Sequence, residues 1–298
     1  MSISWTSSSA KDLREHHARD AAEQAGDLPA DVDETLLAPR GTFRGGLLFT
    51  PRKRAGETVI VYFHGGGFVA GSPETHRCVT AWLAKLSGLR VLSARYRLAP
   101  EHLFPAQRDD AVAACDLALG LGGGSPDLTG LVLAGDSAGA CVALWAWRSL
   151  DQKRQAARIR GLVLFYGGFG HITSASIARS GTSENGLDSR TLIITYGRLG
   201  DTESAPVSIW PKDFARQITA PAYILASELD PVFDDSAKLF QGLRGNAAES
   251  IFVVAEGQNH GFFKSTGKDP VAMRELEKAA RWIAGLPAAT NEIESASR

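Results

Sequence analysis

Short runs of apolar residues alternate along the chain with longer segments that carry helical patterns. The apolar runs favour strands, and they lie at residues 58–63, 89–94, 130–134, 161–166, 222–226 and 250–255. The helical patterns lie at residues 8–25, 76–87, 106–119, 138–155, 235–244 and 270–285. Strands that are apolar on both alternating faces are typical of a parallel sheet covered by helices on both sides. The pattern therefore predicts an α/β fold with a mostly parallel central sheet.

One interval interrupts this alternation. The more than fifty residues between Gly167 and Pro221 contain no clear strand, which is too long for a simple connection. We predict a cap insertion at about residues 168–215, with a helix near 188–199. The predicted organisation is an N-terminal cap segment at 1–40, a core at 41–286 that carries this insertion, and a flexible tail at 287–298.

Composition and charge narrow the class of protein. Apolar residues make up 44% of the 298 residues and the formal net charge is −1, so we expect a globular protein without a nucleic-acid partner. No apolar run approaches the roughly 18 residues of a membrane span. The polar N-terminus does not resemble a secretory signal, so we expect a cytoplasmic protein that does not bind membranes. Three scattered cysteines, Cys78, Cys115 and Cys141, favour free thiols over disulfides or a metal site.

Two glycine-rich motifs point to chemistry at a carbonyl group. Residues 135–139 read Gly-Asp-Ser-Ala-Gly and fit the G-x-S-x-G nucleophile elbow, while residues 64–67 read His-Gly-Gly-Gly and fit an oxyanion loop. A sharp turn between a strand and a helix would lift the Ser137 hydroxyl clear of the backbone. The structural alternatives are a serine that only caps a helix and a glycine run that only forms a flexible turn.

The backbone N–H groups of these motifs could hold the negative oxygen of a tetrahedral intermediate. Fixed N–H donors of this kind typically contribute a factor of about 10²–10³ to turnover. The candidates are Gly66, Gly67 and Ala138.

The base that activates Ser137 should be a histidine. Among the seven histidines, His260 follows the last predicted strand, which is where α/β-hydrolases place their base. His64 begins the glycine loop and is expected to brace it. His16 and His17 lie in the N-terminal helical segment and are expected to face solvent.

A carboxylate should orient that histidine. Asp230 directly follows the predicted strand at 222–226, and Asp234 and Asp235 are close alternatives. The chain order Ser137, Asp230, His260 is the order of the α/β-hydrolases. This order excludes Asp136 as the triad acid, and we expect Asp136 to brace the elbow instead.

Four segments together resemble the hormone-sensitive-lipase-like family of bacterial carboxylesterases, in the α/β-hydrolase superfamily. They are the two glycine motifs, the sequence Tyr-Arg-Leu-Ala-Pro-Glu-His at residues 96–102, and Asp230-Pro231 with His260-Gly261-Phe262. The segment at 96–102 is highly specific, and the resemblance spans about residues 43–285. It implies the α/β-hydrolase fold with a helical cap, and hydrolysis of carboxylic esters, usually of short acyl chains, without a cofactor.

The sequence departs from the family pattern in three places, one of which is a short N-terminal cap. Residues 42–56 lack a clear tyrosine-bearing version of the family strand, and residues 166–170 read Tyr-Gly-Gly-Phe-Gly where many relatives have Ser-Pro. Because the cap shapes the acyl and alcohol pockets, these departures bear on substrate preference rather than on catalysis.

The sequence thus predicts a serine carboxylesterase that acts on a small-molecule ester, with no cofactor and no metal, and as a possible homodimer. A lactonase or an amidase with the same triad would have the same motifs. A ligand-binding protein on a hydrolase scaffold is disfavoured, because Ser137, Asp230 and His260 are all present.

Overall fold

A single mixed sheet organises the chain, for which a computed structural model describes residues 3–121, 130–153, 158–201, 208–243, 247 and 249–287. In that part of the chain the strands are β1 Val32–Leu37, β2 Gly46–Pro51, β3 Val59–Phe63, β4 Arg90–Ala94, β5 Leu131–Asp136, β6 Ile159–Phe165, β7 Ala222–Ser227 and β8 Ile251–Ala255. Their order across the sheet is β1-β2-β4-β3-β5-β6-β7-β8. The pairs β1–β2 and β2–β4 are antiparallel, and every other pair is parallel.

Helices cover both faces of this sheet. They are α1 Ala10–Gln24, α2 Arg77–Ser87, α3 Ala106–Leu119, α4 Ala138–Gln152, α5 Ala175–Ser180, α6 Ser189–Gly197, α7 Pro211–Phe214, α8 Phe233–Leu243 and α9 Pro270–Ala284. Because side chains of a strand alternate between faces, β5 contributes to two separate clusters of the core. Leu131 and Leu133 pack with α3 and α4, whereas Val132 and Ala134 pack with α2 and α9. The predicted α/β fold is confirmed.

The predicted elements agree closely with the observed ones. Each of the six predicted strands corresponds to one of β3 to β8. The six long predicted helices correspond to α1, α2, α3, α4, α8 and α9. The predicted ends of the helices at 138–155 and 235–244 lie outside the described residues, as does the predicted tail from residue 288 onward.

Two strands were not predicted. The strand β1 is mostly solvent-exposed and carries the polar sequence Val-Asp-Glu-Thr-Leu-Leu, so it lacks the apolar run that reveals a buried strand. The strand β2 lies within the segment 42–56 and pairs antiparallel with both β1 and β4. The sheet therefore begins within residues 1–40, the segment predicted as the N-terminal cap.

The long interval between β6 and β7 folds as helices and turns. Its described residues contain α5, α6 and α7 and no strand, and α6 corresponds to the helix predicted near 188–199. No helix among the described residues is long and apolar enough to cross a membrane. Cys78, Cys115 and Cys141 are all free thiols.

Candidate active site

Ser137 lies in the sharp turn between β5 and α4. Its backbone has φ +52°, a left-handed conformation that side chains rarely adopt, and its N–H donates to the Phe165 carbonyl over 2.9 Å. The turn needs the glycines on either side. A Cβ on Gly139 would lie 2.0 Å from the Phe63 carbonyl oxygen, and one on Gly135 would lie 2.4 Å from the Gly139 carbonyl oxygen. The G-x-S-x-G pattern therefore permits the close approach of β3, β5 and α4 that presents the serine hydroxyl.

His260 connects this serine to Asp230. The His260 Nε2 lies 2.8 Å from the Ser137 Oγ, and the His260 Nδ1 lies 2.7 Å from the Asp230 Oδ2. Asp230 follows β7 and His260 follows β8, so neighbouring parallel strands deliver both residues to the edge of the sheet where β5 ends. A carboxylate accepts hydrogen bonds only, so Asp230 accepts from Nδ1–H and leaves Nε2 to accept the serine proton. The structure brings the three predicted residues together in the predicted order.

Asp230 is held rigidly in place. Its side chain is fully buried, and its second oxygen, Oδ1, accepts a hydrogen bond from the Val232 N–H over 2.8 Å. Burial lowers the local dielectric constant, so this carboxylate interacts more strongly with any positive charge that forms on His260.

The two alternative carboxylates have other partners. Asp234 accepts from the Ser176 N–H over 3.0 Å, at the start of α5. Asp235 accepts from the Phe169 N–H over 2.6 Å and, less closely, from the His171 N–H. Burial raises the pKa of Asp235 to about 7, against the effect of these two hydrogen bonds. Both residues thus attach the insertion to α8.

The glycine loop after β3 faces Ser137. Gly66 and Gly67 have φ values of +115° and +60°, which favour glycine, and a Cβ on Gly66 would lie 2.4 Å from the Ala70 carbonyl oxygen. The Gly66 carbonyl accepts from the Val69 N–H over 3.1 Å and from the Ala70 N–H over 2.8 Å. The loop is therefore a hydrogen-bonded turn, and its N–H groups have fixed directions.

The three predicted oxyanion residues and the Ser–His pair border one cavity. Gly66, Gly67, Ser137, Ala138 and His260 all line a cavity of about 560 Å³. Ala138 is the first residue of α4, where free N–H groups and the helix dipole favour negative charge. The arrangement can bind a carbonyl oxygen next to an activated serine hydroxyl.

Asp136 ties the elbow to the glycine loop. Its buried carboxylate accepts from the Tyr62 hydroxyl over 2.8 Å and from the Gly65 N–H over 2.9 Å, and His76 Nε2 lies 3.3 Å away. Burial alone would raise the pKa of Asp136. The neighbouring His76 and these hydrogen bonds outweigh burial and lower that pKa to about 2. The residue next to the serine is therefore an anionic brace between the two motifs.

His64 also braces the loop, whereas the expectation for His17 is wrong. The buried His64 ring donates from Nδ1 to the Gly65 carbonyl over 2.8 Å. His17 does not face solvent: it is only 7% exposed, stacks on the His76 ring at 5.9 Å between centroids, and lines the cavity. Burial lowers the pKa of His17 to about 3, with the nearby His76 adding to the effect.

The reason for this error lies in the buried face of α1. Leu13, His17 and Ala21 are the buried residues of that helix, and they are spaced four residues apart. This spacing places them on one face, so it was a signal in the sequence, but a polar histidine in the middle of the stripe concealed it.

Further residues, outside the motifs, also line the cavity. They belong to the N-terminal segment, to the end of the oxyanion loop, to the insertion and to the loop after β7, and they include Trp5, Phe68, Leu187, Leu192, Tyr196 and Val232. No group of three or more His, Cys, Asp or Glu side chains among the described residues could hold a metal ion.

Comparison with known proteins agrees with this geometry. Residues 60–264, more than half of the chain, match the family described as alpha/beta hydrolase fold. The chain belongs to this family. An acetyl esterase of Salmonella schwarzengrund is 28% identical over 242 residues, which cover 79% of this chain and 74% of the relative. An acetyl esterase of Salmonella paratyphi B is 29% identical over 266 residues, which cover 86% of this chain and 81% of the relative.

Solved structures of esterases have the same fold. A hyperthermophilic esterase from the archaeon Pyrobaculum calidifontis superposes with a TM-score of 0.80 at 26% identity, over 93% of each chain. An esterase from the bacterial hormone-sensitive lipase family superposes with a TM-score of 0.81 at 23% identity, over 93% of this chain and 91% of that chain. The predicted fold and the predicted resemblance to hormone-sensitive-lipase-like esterases are confirmed.

Proposed function

We propose that this protein is a serine carboxylesterase that hydrolyses short-chain carboxylic esters through an acyl-enzyme on Ser137. Its class, carboxylic-ester hydrolase, is that of the two acetyl esterases to which the chain is similar. The observation that carries the proposal is the chain of contacts from the Ser137 Oγ through His260 to the buried Asp230, at 2.8 Å and 2.7 Å.

Acylation begins when Ser137 Oγ attacks the carbonyl carbon of the ester. The proton of the hydroxyl passes to the His260 Nε2, and the electron pair of the carbonyl double bond moves to its oxygen. Asp230 stabilises the resulting imidazolium, since its carboxylate already accepts from Nδ1. When the tetrahedral intermediate collapses, the bond to the alcohol oxygen breaks and that oxygen takes the proton from Nε2.

The N–H groups of Gly66, Gly67 and Ala138 hold the negative oxygen of both tetrahedral intermediates. Preorganised donors stabilise the transition state because they need no rearrangement as charge develops. Support for this role comes from the fixed turn at Gly66 and from the position of Ala138 at the start of α4. A water molecule, deprotonated by His260, then attacks the acyl-enzyme. The bond from the acyl carbon to the Ser137 Oγ breaks, the acid is released, and Oγ takes the proton back from His260.

The preference for short acyl chains is supported by the lining and the volume of the cavity. The insertion and the N-terminal segment both contribute to its wall, and the cavity of about 560 Å³ lies within the usual range of small-molecule sites. Acetyl esters are the substrates that the names of the Salmonella relatives indicate, and we propose esters of similar size for this protein.

Replacement of the nucleophile tests this function. Triad residues act as a unit, so Ser137→Ala should lower kcat for p-nitrophenyl acetate by about 10⁴-fold or more. Circular dichroism should show an unchanged fold, because Ser137 makes its turn with backbone atoms. A panel of p-nitrophenyl esters, lactones and anilides should show the highest kcat/KM for an ester. Substantial ester hydrolysis by folded Ser137→Ala protein would refute the proposal.

A further inference from the structure

Arg14 connects α1 to the far end of the glycine loop. Its Nε donates to the Val69 carbonyl over 2.8 Å, and its terminal NH2 group donates to the Ala99 carbonyl over 3.1 Å. These bonds span more than fifty and more than eighty residues of sequence. One guanidinium therefore holds two backbone segments that are distant along the chain.

Both of these segments are hydrogen-bonded to the glycine loop or to the residue that follows it. The Val69 N–H donates to the Gly66 carbonyl over 3.1 Å, and the Ala99 N–H donates to the Phe68 carbonyl over 2.9 Å. Arg14 donates to the carbonyl groups of these same two residues, Val69 and Ala99. A series of hydrogen bonds therefore runs from α1 through Val69 to Gly66. Because Gly66 and Gly67 have no side chains to anchor them, their N–H directions depend on such backbone bonds.

Glu101 fixes the orientation of the guanidinium. The Glu101 Oε1 and Oε2 accept from the two terminal nitrogens of Arg14 over 3.0 Å and 2.6 Å, and these hydrogen bonds lower the pKa of Glu101. The pair is partly exposed, with side-chain exposures of 33% for Arg14 and 51% for Glu101. An exposed ion pair contributes little to stability. A planar guanidinium that contacts a carboxylate at two points nevertheless has a fixed orientation. Here that orientation directs the other N–H groups of Arg14 at the Val69 and Ala99 carbonyls.

We propose that Arg14 is a positioning residue for the oxyanion hole, through which α1 holds Gly66 and Gly67 in the geometry that binds the transition state. Glu101, from the specific segment at residues 96–102, supports Arg14 in this role. The inference rests on the proposed esterase function, since it concerns the N–H groups that would bind the oxyanion.

Substitutions can separate this role from a general effect on folding. Arg14→Gln removes the guanidinium, so the glycine loop can shift. Because even a small displacement of catalytic groups lowers the rate, kcat should fall by about tenfold or more. Arg14→Lys retains the charge but cannot reproduce the two-point contact, and it should resemble Arg14→Gln. Glu101→Gln should have a smaller effect, because the bonds from Arg14 to the two carbonyls remain possible. Arg19→Gln, an exposed arginine of the same helix, is the matched control and should leave kcat unchanged.

A trifluoromethyl ketone reports directly on the oxyanion hole. Such a ketone forms a hemiketal with the serine, and its oxyanion occupies the position of the transition-state oxygen, whereas the unfluorinated methyl ketone binds without forming this adduct. For Arg14→Gln we expect the affinity for the trifluoromethyl ketone to fall by the same factor as kcat. The KM and the affinity for the methyl ketone should change by less than about twofold, because uniform binding is unaffected.

The outcomes distinguish this inference from the proposed function. Unchanged kcat and unchanged trifluoromethyl ketone affinity in Arg14→Gln would overturn the inference. Equal losses for both ketones and for KM would also overturn it, since they would indicate a general disturbance of the cavity. If wild-type protein neither hydrolyses p-nitrophenyl acetate nor binds the trifluoromethyl ketone, the proposed function itself has failed.

Discussion

Three buried aspartates, one in the elbow and two in the segment after β7, have different partners, and those partners decide what each aspartate can do. Asp230 accepts from the His260 ring, Asp136 accepts from the glycine loop and Tyr62, and Asp235 accepts from the backbone of the insertion. All three are less than about a tenth exposed, with Asp136 the most exposed at 5%. Chemically identical side chains therefore differ in function through their hydrogen-bond donors and not through burial.

Replacement of Asp230 tests its role as the residue that orients His260. In Asp230→Asn the amide can present an N–H to the ring, which favours the wrong tautomer, so kcat should fall by about 10⁴-fold. Asp234→Asn is the matched control and should cost far less, because Asp234 contacts Ser176 rather than His260. Steady-state kinetics with p-nitrophenyl acetate measures both effects. A greater loss in Asp234→Asn than in Asp230→Asn would contradict this assignment.

The residues of this site differ in how far they could be predicted. Ser137 belongs to a motif, and chain order together with the ends of the apolar strand runs favours Asp230 and His260. Sequence alone left Asp234 and Asp235 as alternatives, and only the partners of each carboxylate in the structure separate them from Asp230.

The buried position of His17 is contained in a local pattern, the four-residue spacing of Leu13, His17 and Ala21, although the polar side chain concealed it. The hydrogen bonds of Arg14 to the Val69 and Ala99 carbonyls join segments that are distant along the chain, and no local pattern contains them.

At the scale of elements, burial separates the strands β3 to β7, which were predicted, from β1, which was not. It does not account for β2, which is buried and was missed, or for β8, which is less buried and was predicted from its apolar run. The strands β3 to β7 are almost entirely buried, and their continuous apolar runs identify them. The strand β1 is held at the edge by its pairing with β2, and its side chains mostly face solvent. A strand that is held by backbone hydrogen bonds does not need hydrophobic side chains, so the sequence of such an edge strand contains no apolar run that would identify it.

The attachment of the insertion to α8 should make stability depend on pH. Asp235 has a pKa near 7 in the folded protein and an ordinary value of 3.8, so the folded state binds a proton more tightly than the unfolded state. Stability should therefore fall as the pH rises from about 4 to about 7, by about 1.4 kcal/mol for each unit of pKa difference at most. Above this window the Asp235 contribution should be constant.

The variant Asp235→Asn isolates this contribution. An amide oxygen can still accept from the Phe169 N–H but does not ionise, so the variant should gain stability relative to wild type as the pH rises. Urea unfolding of both proteins at about pH 5 and about pH 8 measures this difference in the free energy of unfolding. A difference that is the same at both pH values would exclude Asp235 as the titrating group.

At the scale of the whole molecule, the cavity forms where three parts of the chain meet. Trp5 lies against both the oxyanion loop and the insertion: a Cβ on Gly67 would lie 3.2 Å from its ring, and one on Gly186 would lie 2.5 Å from it. The Trp5 carbonyl accepts from Arg198 over 2.9 Å, which links the N-terminal segment to the residue after α6. The N-terminal segment therefore forms part of the cavity wall, together with the core and the insertion.

This wall should limit the acyl chain length that the protein prefers. Each buried CH₂ group contributes about 0.8 kcal/mol, so kcat/KM should rise with chain length only until the cavity is full, with a maximum at roughly acetyl to hexanoyl. In Trp5→Ala, loss of the ring extends the cavity, so the maximum should move to longer chains. Trp82→Ala is the control, because Trp82 donates to the Asp27 carbonyl and does not line the cavity. Measurements with monomeric p-nitrophenyl esters from acetate to palmitate give the profiles. A wild-type maximum at dodecanoate or beyond, or activation at an oil–water interface, would indicate a lipase whose cap opens to long chains.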